Sequence, residues 1–186
     1  MTGGRERPVR PPRPVTAEYL ERAALHYLER YGASAEMLRR VLTRRVETRC
    51  RLRGEDPAPV RALVEPVVAR AVSAGLVNDA AFARARTQTL RRRGGSARRI
   101  GAAMAAKGIA RETIAASLRP EDDGEAAAAA ELAAAQALVR RRRLGPHRRD
   151  DPAPHRERDL AVLARAGFAY AVARAALDGD GEAEEG

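Results

Sequence analysis

Apolar residues recur every three or four positions along most of this chain, the period of helices with one buried face. Thr16 precedes a stripe of Leu20, Ala24, Leu28 and Tyr31 that Gly32 ends, and Ser34 precedes Leu38 and Leu42. Both hydroxyls suit a helix N-cap. Thr48 to Pro59 reads as a loop. Val64, Val67, Val68, Ala71 and Val72 predict a third helix, with Pro66 in its first turn and Gly75 at its end.

The pattern then restarts. Asn78 or Asp79 is the expected N-cap of a helix whose face carries Phe82, Ala83, Arg86 and Leu90. Gly94 and Gly95 break it and Ser96 caps the next, which aligns Ile100 with Met104. Gly108 stands where a left-handed residue closes a helix. Ile114 and Leu118 mark a short helix stopped by Pro120. An alanine-rich helix follows from about Glu125 to Arg143, then a loop to His155. Two further helices are expected, Arg156 to Arg165, ending at Gly167, and Phe168 to Leu177.

These segments repeat. A shift of 62 residues puts Leu20 on Phe82, Leu28 on Leu90, Ser34 on Ser96, Leu38 on Ile100 and Leu42 on Met104. A shift of 59 puts Met104 on Leu163, Gly108 on Gly167, Ile109 on Phe168 and Leu118 on Leu177. The expected division is a disordered, basic, proline-rich arm (1–15), three three-helix repeats (16–75, 76–120 and 121–177) and an acidic tail (178–186).

Composition supports small helical units. Alanine supplies much of the 45% hydrophobic content and aromatics are only 3%. Alanine buries little apolar area, which disfavours one deep core, while alanine and arginine both favour helix. The expected class is therefore all-α, an elongated, curved array of helical repeats. The formal charge of +10 favours polyanions or acidic protein surfaces. The acidic residues Asp178, Asp180, Glu182, Glu184 and Glu185 either solubilise the end or compete with DNA for the basic face.

Catalytic chemistry is not indicated. His147 and His155 make at best a weak metal pair, and no histidine has ligands at metal spacing. Cys50 is the only cysteine. No cofactor or metal is expected. The first fifteen residues lack the apolar core of a secretory signal, and the run Ala126 to Val139 is too short to span a bilayer. The expectation is a cytoplasmic, monomeric protein with no membrane partner. The candidate contacts are two arginine clusters, Arg91, Arg92, Arg93, Arg98 and Arg99 with Lys107, and Arg140, Arg141, Arg142 and Arg143 with Arg148 and Arg149. Each arginine can equally be a solvated charge at a helix end.

The stretch Gly75 to Ile109 resembles the signature of the RecX regulatory proteins. Gly75, Leu76, Asn78, Asp79, Phe82, Ala83, Arg93, Gly95, Ile100, Lys107, Gly108 and Ile109 match it, with Ser96 as the central cap. Leu163, Gly167 and Phe168 are similar to the family's C-terminal segment, and the stretch beginning at Tyr19 to its N-terminal one. Met104 replaces the family's usual leucine, and Arg165-Ala166 stands where two arginines are usual. The resemblance implies three tandem three-helix repeats. It implies binding to RecA protein and the RecA-DNA filament, with inhibition of RecA's ATPase, strand-exchange and coprotease activities. Weak direct binding of single- or double-stranded DNA is a further expectation. The alternative is a helical DNA-binding protein acting without RecA, a repressor or architectural factor.

Overall fold

The computed structural model describes residues 12–119 and 124–179, and among them every regular element is helical. The chain forms two compact units that divide after Asn78.

The first unit contains α1 (Ala17–Leu28), α2 (Ala35–Arg53), the single turn α3 (Ala58–Arg61) and α4 (Val64–Ser73). Thr16 and Ser34 cap α1 and α2 by accepting hydrogen bonds from the Tyr19 and Met37 amides. The core joins Leu20 and Ala24 of α1, Leu38, Leu42, Val46 and Cys50 of α2, and Val64, Val67, Val68 and Ala71 of α4. Each such Leu or Val contributes roughly 1.5–3 kcal/mol when fully buried. Arg39 ties α2 to α4 through Glu65 (2.7 Å) and also pairs with Glu36 (2.5 Å). These arginine hydrogen bonds hold the Glu36 and Glu65 carboxyls below their ordinary range. At this exposure the pairs add little stability.

Four expectations change here. Helix α1 ends at Leu28, so Tyr31 is 56% exposed rather than part of the stripe. The segment read as a loop from Thr48 is helical to Arg53. Val46 and Cys50 continue the four-residue step of Leu38 and Leu42 into the core, and Gly54 (φ +69°) ends the helix. Val72 turns outward. Packing also begins ahead of Thr16, because Val15 is buried.

The second unit contains α5 (Asp79–Arg92), α6 (Ala97–Ala105), α7 (Arg111–Leu118), α8 (Gly124–Arg142), α9 (Arg156–Arg165) and α10 (Tyr170–Asp178). The helix starts repeat as the pattern predicts. Ala17 and Ala35 shift by 62 residues to Asp79 and Ala97, and Ala97 and Arg111 shift by 59 to Arg156 and Tyr170. Ala83, Ile100, Met104 and Ile109 form one small core, with Phe82, Leu90, Ile114 and Leu118 against it. Thr87, not Arg86, continues the buried face of α5, since it lies one turn beyond Ala83 and reaches Ser117 (3.2 Å). A second core joins α8, α9 and α10 through Ala134, Ala135, Leu138, Val139, Leu163, Ala173 and Leu177, with Phe168 ahead of α10. Pro120 lies outside the described residues, as do Asp180, Glu182, Glu184 and Glu185 of the tail. Asp178 ends α10 and pairs with Arg156 (2.7 Å).

A polar joint locks the two cores together at the start of α6. Ser96 is fully buried; its hydroxyl accepts from the Arg99 amide (3.2 Å) and donates to the Ala166 carbonyl (2.7 Å). Glu131 of α8 accepts from the Ala97 amide (3.1 Å) and from Arg91. A carboxylate at this helix start meets unpaired amides and the positive end of the dipole. Gly94 is the left-handed glycine of the pair at the break (φ +79°), and a Cβ there would lie 2.7 Å from the Leu138 amide nitrogen. Gly95 has ordinary φ, but a Cβ on it would lie 2.9 Å from the Leu90 carbonyl. Gly167 (φ +96°) comes so close to Ser96 that a Cβ would sit 2.7 Å from its hydroxyl.

The connection between α8 and α9 is built on Asp159, which is fully buried. It accepts from the Gly145 amide (2.8 Å) and from two nitrogens of Arg148 (2.9 and 2.6 Å). Burial pushes its carboxyl up, but the bonds from Arg148 and Gly145 outweigh this and hold it below its ordinary value of 3.8. Its contribution is therefore present above that value and is lost as pH falls through the lowered one.

Two predictions follow from this packing. Gly75 and Gly94 share a left-handed φ, yet a Cβ on Gly75 would meet nothing within 4 Å. Gly75→Ala is expected to cost about 1 kcal/mol from backbone conformation alone, and Gly94→Ala roughly 2–4 kcal/mol once overpacking is added. Urea unfolding of both variants measures the difference. Asp159→Ala is expected to cost about 3–5 kcal/mol at neutral pH, with the loss shrinking on acidification; thermal melts from pH 7 to below pH 4 test it.

Candidate functional site

Arg39, Arg40 and Arg53 on α2 are matched by carboxylates, but several arginines in the second unit are not. There the fold converts separate stretches of sequence into one surface. Arg93 at the end of α5, Arg99 on α6 and Arg141 on α8 line a single cleft of about 160 Å³ floored by Leu90, Gly94, Gly95 and Ile100. Arg99 is shared with an adjoining cleft that adds Arg142 and Arg165. Arg142 in turn borders a third, with Arg148 and Arg158. The three hollows share members, so Arg93, Arg141, Arg99, Arg142, Arg165 and Arg158 form a continuous track across α5, α6, α8 and α9. None of these six has an ion pair among the described residues.

The local sequence explains this geometry. The break at Gly94 and Gly95 turns the chain so that the end of α5 and the start of α6 face the same way. The Ser96–Ala166 bond and the Glu131 cap then bring α9 and α8 alongside. Unpaired guanidiniums held this close raise the local positive potential and draw anions. Their planar forks suit phosphate or carboxylate oxygens.

The candidates named from sequence separate into groups. Arg93, Arg99, Arg141 and Arg142 are brought together. Arg91 turns inward to Glu131 and Arg148 to Asp159, so both serve packing. The reason is proximity to a buried or half-buried carboxylate that the sequence sets 40 and 11 residues away. Arg92, Arg98, Arg140, Arg143 and Arg149 are exposed but line none of these hollows. Lys107 is half-buried beside Gly108, which closes α6 with φ +75°. Arg158 and Arg165 belong to the track although sequence reasoning did not select them. Their signal was the face of α9 opposite Leu163, legible only once α9 is packed on α8.

Asn78 precedes α5, Asp79 begins it, and Ile100, Ile109 and Phe168 are buried. Phe82 is half-buried against Ile100 and its neighbours. His155 faces Asp150 (3.1 Å), and among the described residues no three His, Cys, Asp or Glu side chains gather closely enough to hold a metal. No described helix is long and apolar enough to cross a membrane.

Comparison with known proteins agrees with this architecture. A family model described as RecX, second three-helix domain, matches residues 78–118. The chain is 39% identical over 176 residues to a protein named Regulatory protein RecX from Myxococcus xanthus, covering 94% of this chain and 92% of that one. A protein of the same name from Agrobacterium fabrum is 31% identical over 153 residues, covering 81% and 77%. The crystal structure of RecX from Lactobacillus salivarius shares the fold, with a TM-score of 0.60 over 88% of this chain and 95% of that one at 15% identity. The chain belongs to the RecX family of regulatory proteins.

Proposed function

We propose that this protein is a non-enzymatic regulator that binds the RecA recombinase filament and inhibits its ATPase, strand-exchange and coprotease activities. Family membership supports a regulatory role. The observation that carries the reading is the arginine track, in which three hollows with shared members bring together six cations that have no ion pair among the described residues. A RecA filament on single-stranded DNA is a polyanion of matching character, and such complementarity speeds encounter and orients docking. The repeats 16–75, 76–120 and 121–177 act as successive contact modules. Wedged into the filament groove, they restrict the subunit rearrangement needed for ATP turnover.

Direct reading of duplex DNA fits less well. Helix α6 exposes alanine with Arg98 and Arg99, which can grip phosphates but offers no Asn or Gln for adenine edges.

The test is RecA's single-stranded-DNA-dependent ATPase with the protein added below RecA's concentration. Inhibition is expected, and Arg93→Gln/Arg99→Gln/Arg141→Gln should weaken it roughly tenfold, falling further with salt. Arg92→Gln/Arg98→Gln/Arg149→Gln should change it less than about twofold. Absence of inhibition, together with sequence-selective duplex binding in the absence of RecA, would instead support a direct DNA-binding protein.

A further inference from the structure

Six of the seven arginines of helix α2 in the first unit fall into two groups. Arg39 pairs with Glu36 and Glu65, Arg40 with Glu36, and Arg53 with Glu55. Arg44, Arg45 and Arg49 have no carboxylate partner among the described residues. Those three line one open cleft of about 330 Å³. The guanidinium of Arg49 lies 4.0 Å from the centre of the Tyr19 ring, and its Nε is buried without a hydrogen-bond partner. Pro12 and Leu52 complete an apolar wall, and Leu52 is 64% exposed.

Two costs meet in this cleft. Neighbouring like charges on a helix repel, and a buried donor without an acceptor is unfavourable. A ligand carrying regularly spaced anionic oxygens relieves the first, and one that covers Leu52, Pro12 and the edge of Tyr19 with a flat apolar face gains hydrophobic contact as well. Arg45 and Arg49 are one turn apart, about 6 Å along the axis, as are Arg44 and Thr48. A nucleic-acid strand supplies both features, because its phosphates repeat and its unstacked bases lie flat on aromatic, apolar or guanidinium surfaces. A duplex keeps its bases stacked and leaves the apolar wall bare. An acidic peptide supplies carboxylates but no obligatory flat face.

We propose that this cleft is a separate binding site for a short single-stranded stretch of nucleic acid, with Arg44 and Arg45 on phosphates and a base against Leu52 and the stacked Arg49–Tyr19 pair. The proposal stands apart from the regulatory reading above, since its test contains no RecA.

The experiment uses the full chain carrying Arg93→Gln/Arg99→Gln/Arg141→Gln, so that the arginine track contributes little. Binding of a fluorescent oligothymidylate is followed by anisotropy as a function of salt. Adding Arg44→Gln/Arg45→Gln is expected to lower affinity about 25-fold at about 0.1 M salt and to reduce the salt slope by about 1.4, the effect of two lost phosphate contacts. Leu52→Ser should weaken binding severalfold and leave the slope unchanged. Both sets of side chains are at least partly exposed, and circular dichroism confirms that each variant is folded; Arg44→Gln alone, expected to give about fivefold, replaces the double variant if it is not. Oligothymidylate binding indifferent to Arg44 and Arg45 overturns the proposal. So does equal binding of a duplex of the same length through those residues, or displacement of the oligonucleotide by polyglutamate at equal charge.

Discussion

The start of α6 is the point on which the second unit depends. Four amides at a helix N-terminus lack partners within the helix, and here two different elements satisfy two of them. Ser96, next to the helix, caps Arg99 and at the same time reaches the end of α9. Glu131 arrives from the middle of α8 and takes the Ala97 amide together with Arg91. Because Ser96 is wholly buried and Arg91 and Glu131 are mostly so, loss of any partner would strand a polar group away from water. Gly94, Gly95 and Gly167 lack the Cβ that would collide with a neighbour at each of these points, which lets alanine-rich surfaces pack closely despite their small side chains.

That joint also decides where charge accumulates. It draws Arg91 out of solvent, leaves Arg93 and Arg99 at the surface, and sets them beside Arg141, Arg142 and Arg165 from helices far away in sequence. The first unit divides its arginines. Half of those on α2 and α4 satisfy glutamates on neighbouring turns or helices, as Arg39 does with Glu36 and Glu65 and Arg70 with Glu21. A net charge of +10 is thus not spread evenly. It concentrates where the fold withholds carboxylates, and those are the surfaces available to an anionic partner.

Helical period, hydroxyl caps and closing glycines were legible from the chain because each is a local requirement. Ser34, Ser96, Gly75, Gly108 and Gly167 occupy the positions their chemistry predicts. The misreadings came from residues whose state is set at long range. Cys50 sits among arginines and looks like loop, yet one more turn of α2 brings it to the core. Arg91 and Arg148 look like members of basic runs, but Glu131 and Asp159 claim them across 40 and 11 residues. Arg158 and Arg165 lie outside any obvious run and enter the track only through the packing of α9. Gly94 and Gly95 could not be told apart from the sequence, because their difference is a backbone angle and a distance to α8.

The central claim is that arginines from separate repeats act as one surface. A double-mutant cycle on Arg99→Gln and Arg141→Gln, read as the apparent inhibition constant against RecA's ATPase, tests it most directly. Side chains that share one bound anion should couple by about 0.5 kcal/mol or more, whereas independent sites add to within about 0.3–0.5 kcal/mol. Coupling of that size is the predicted result. Strict additivity, or inhibition untouched by either substitution, would contradict the account.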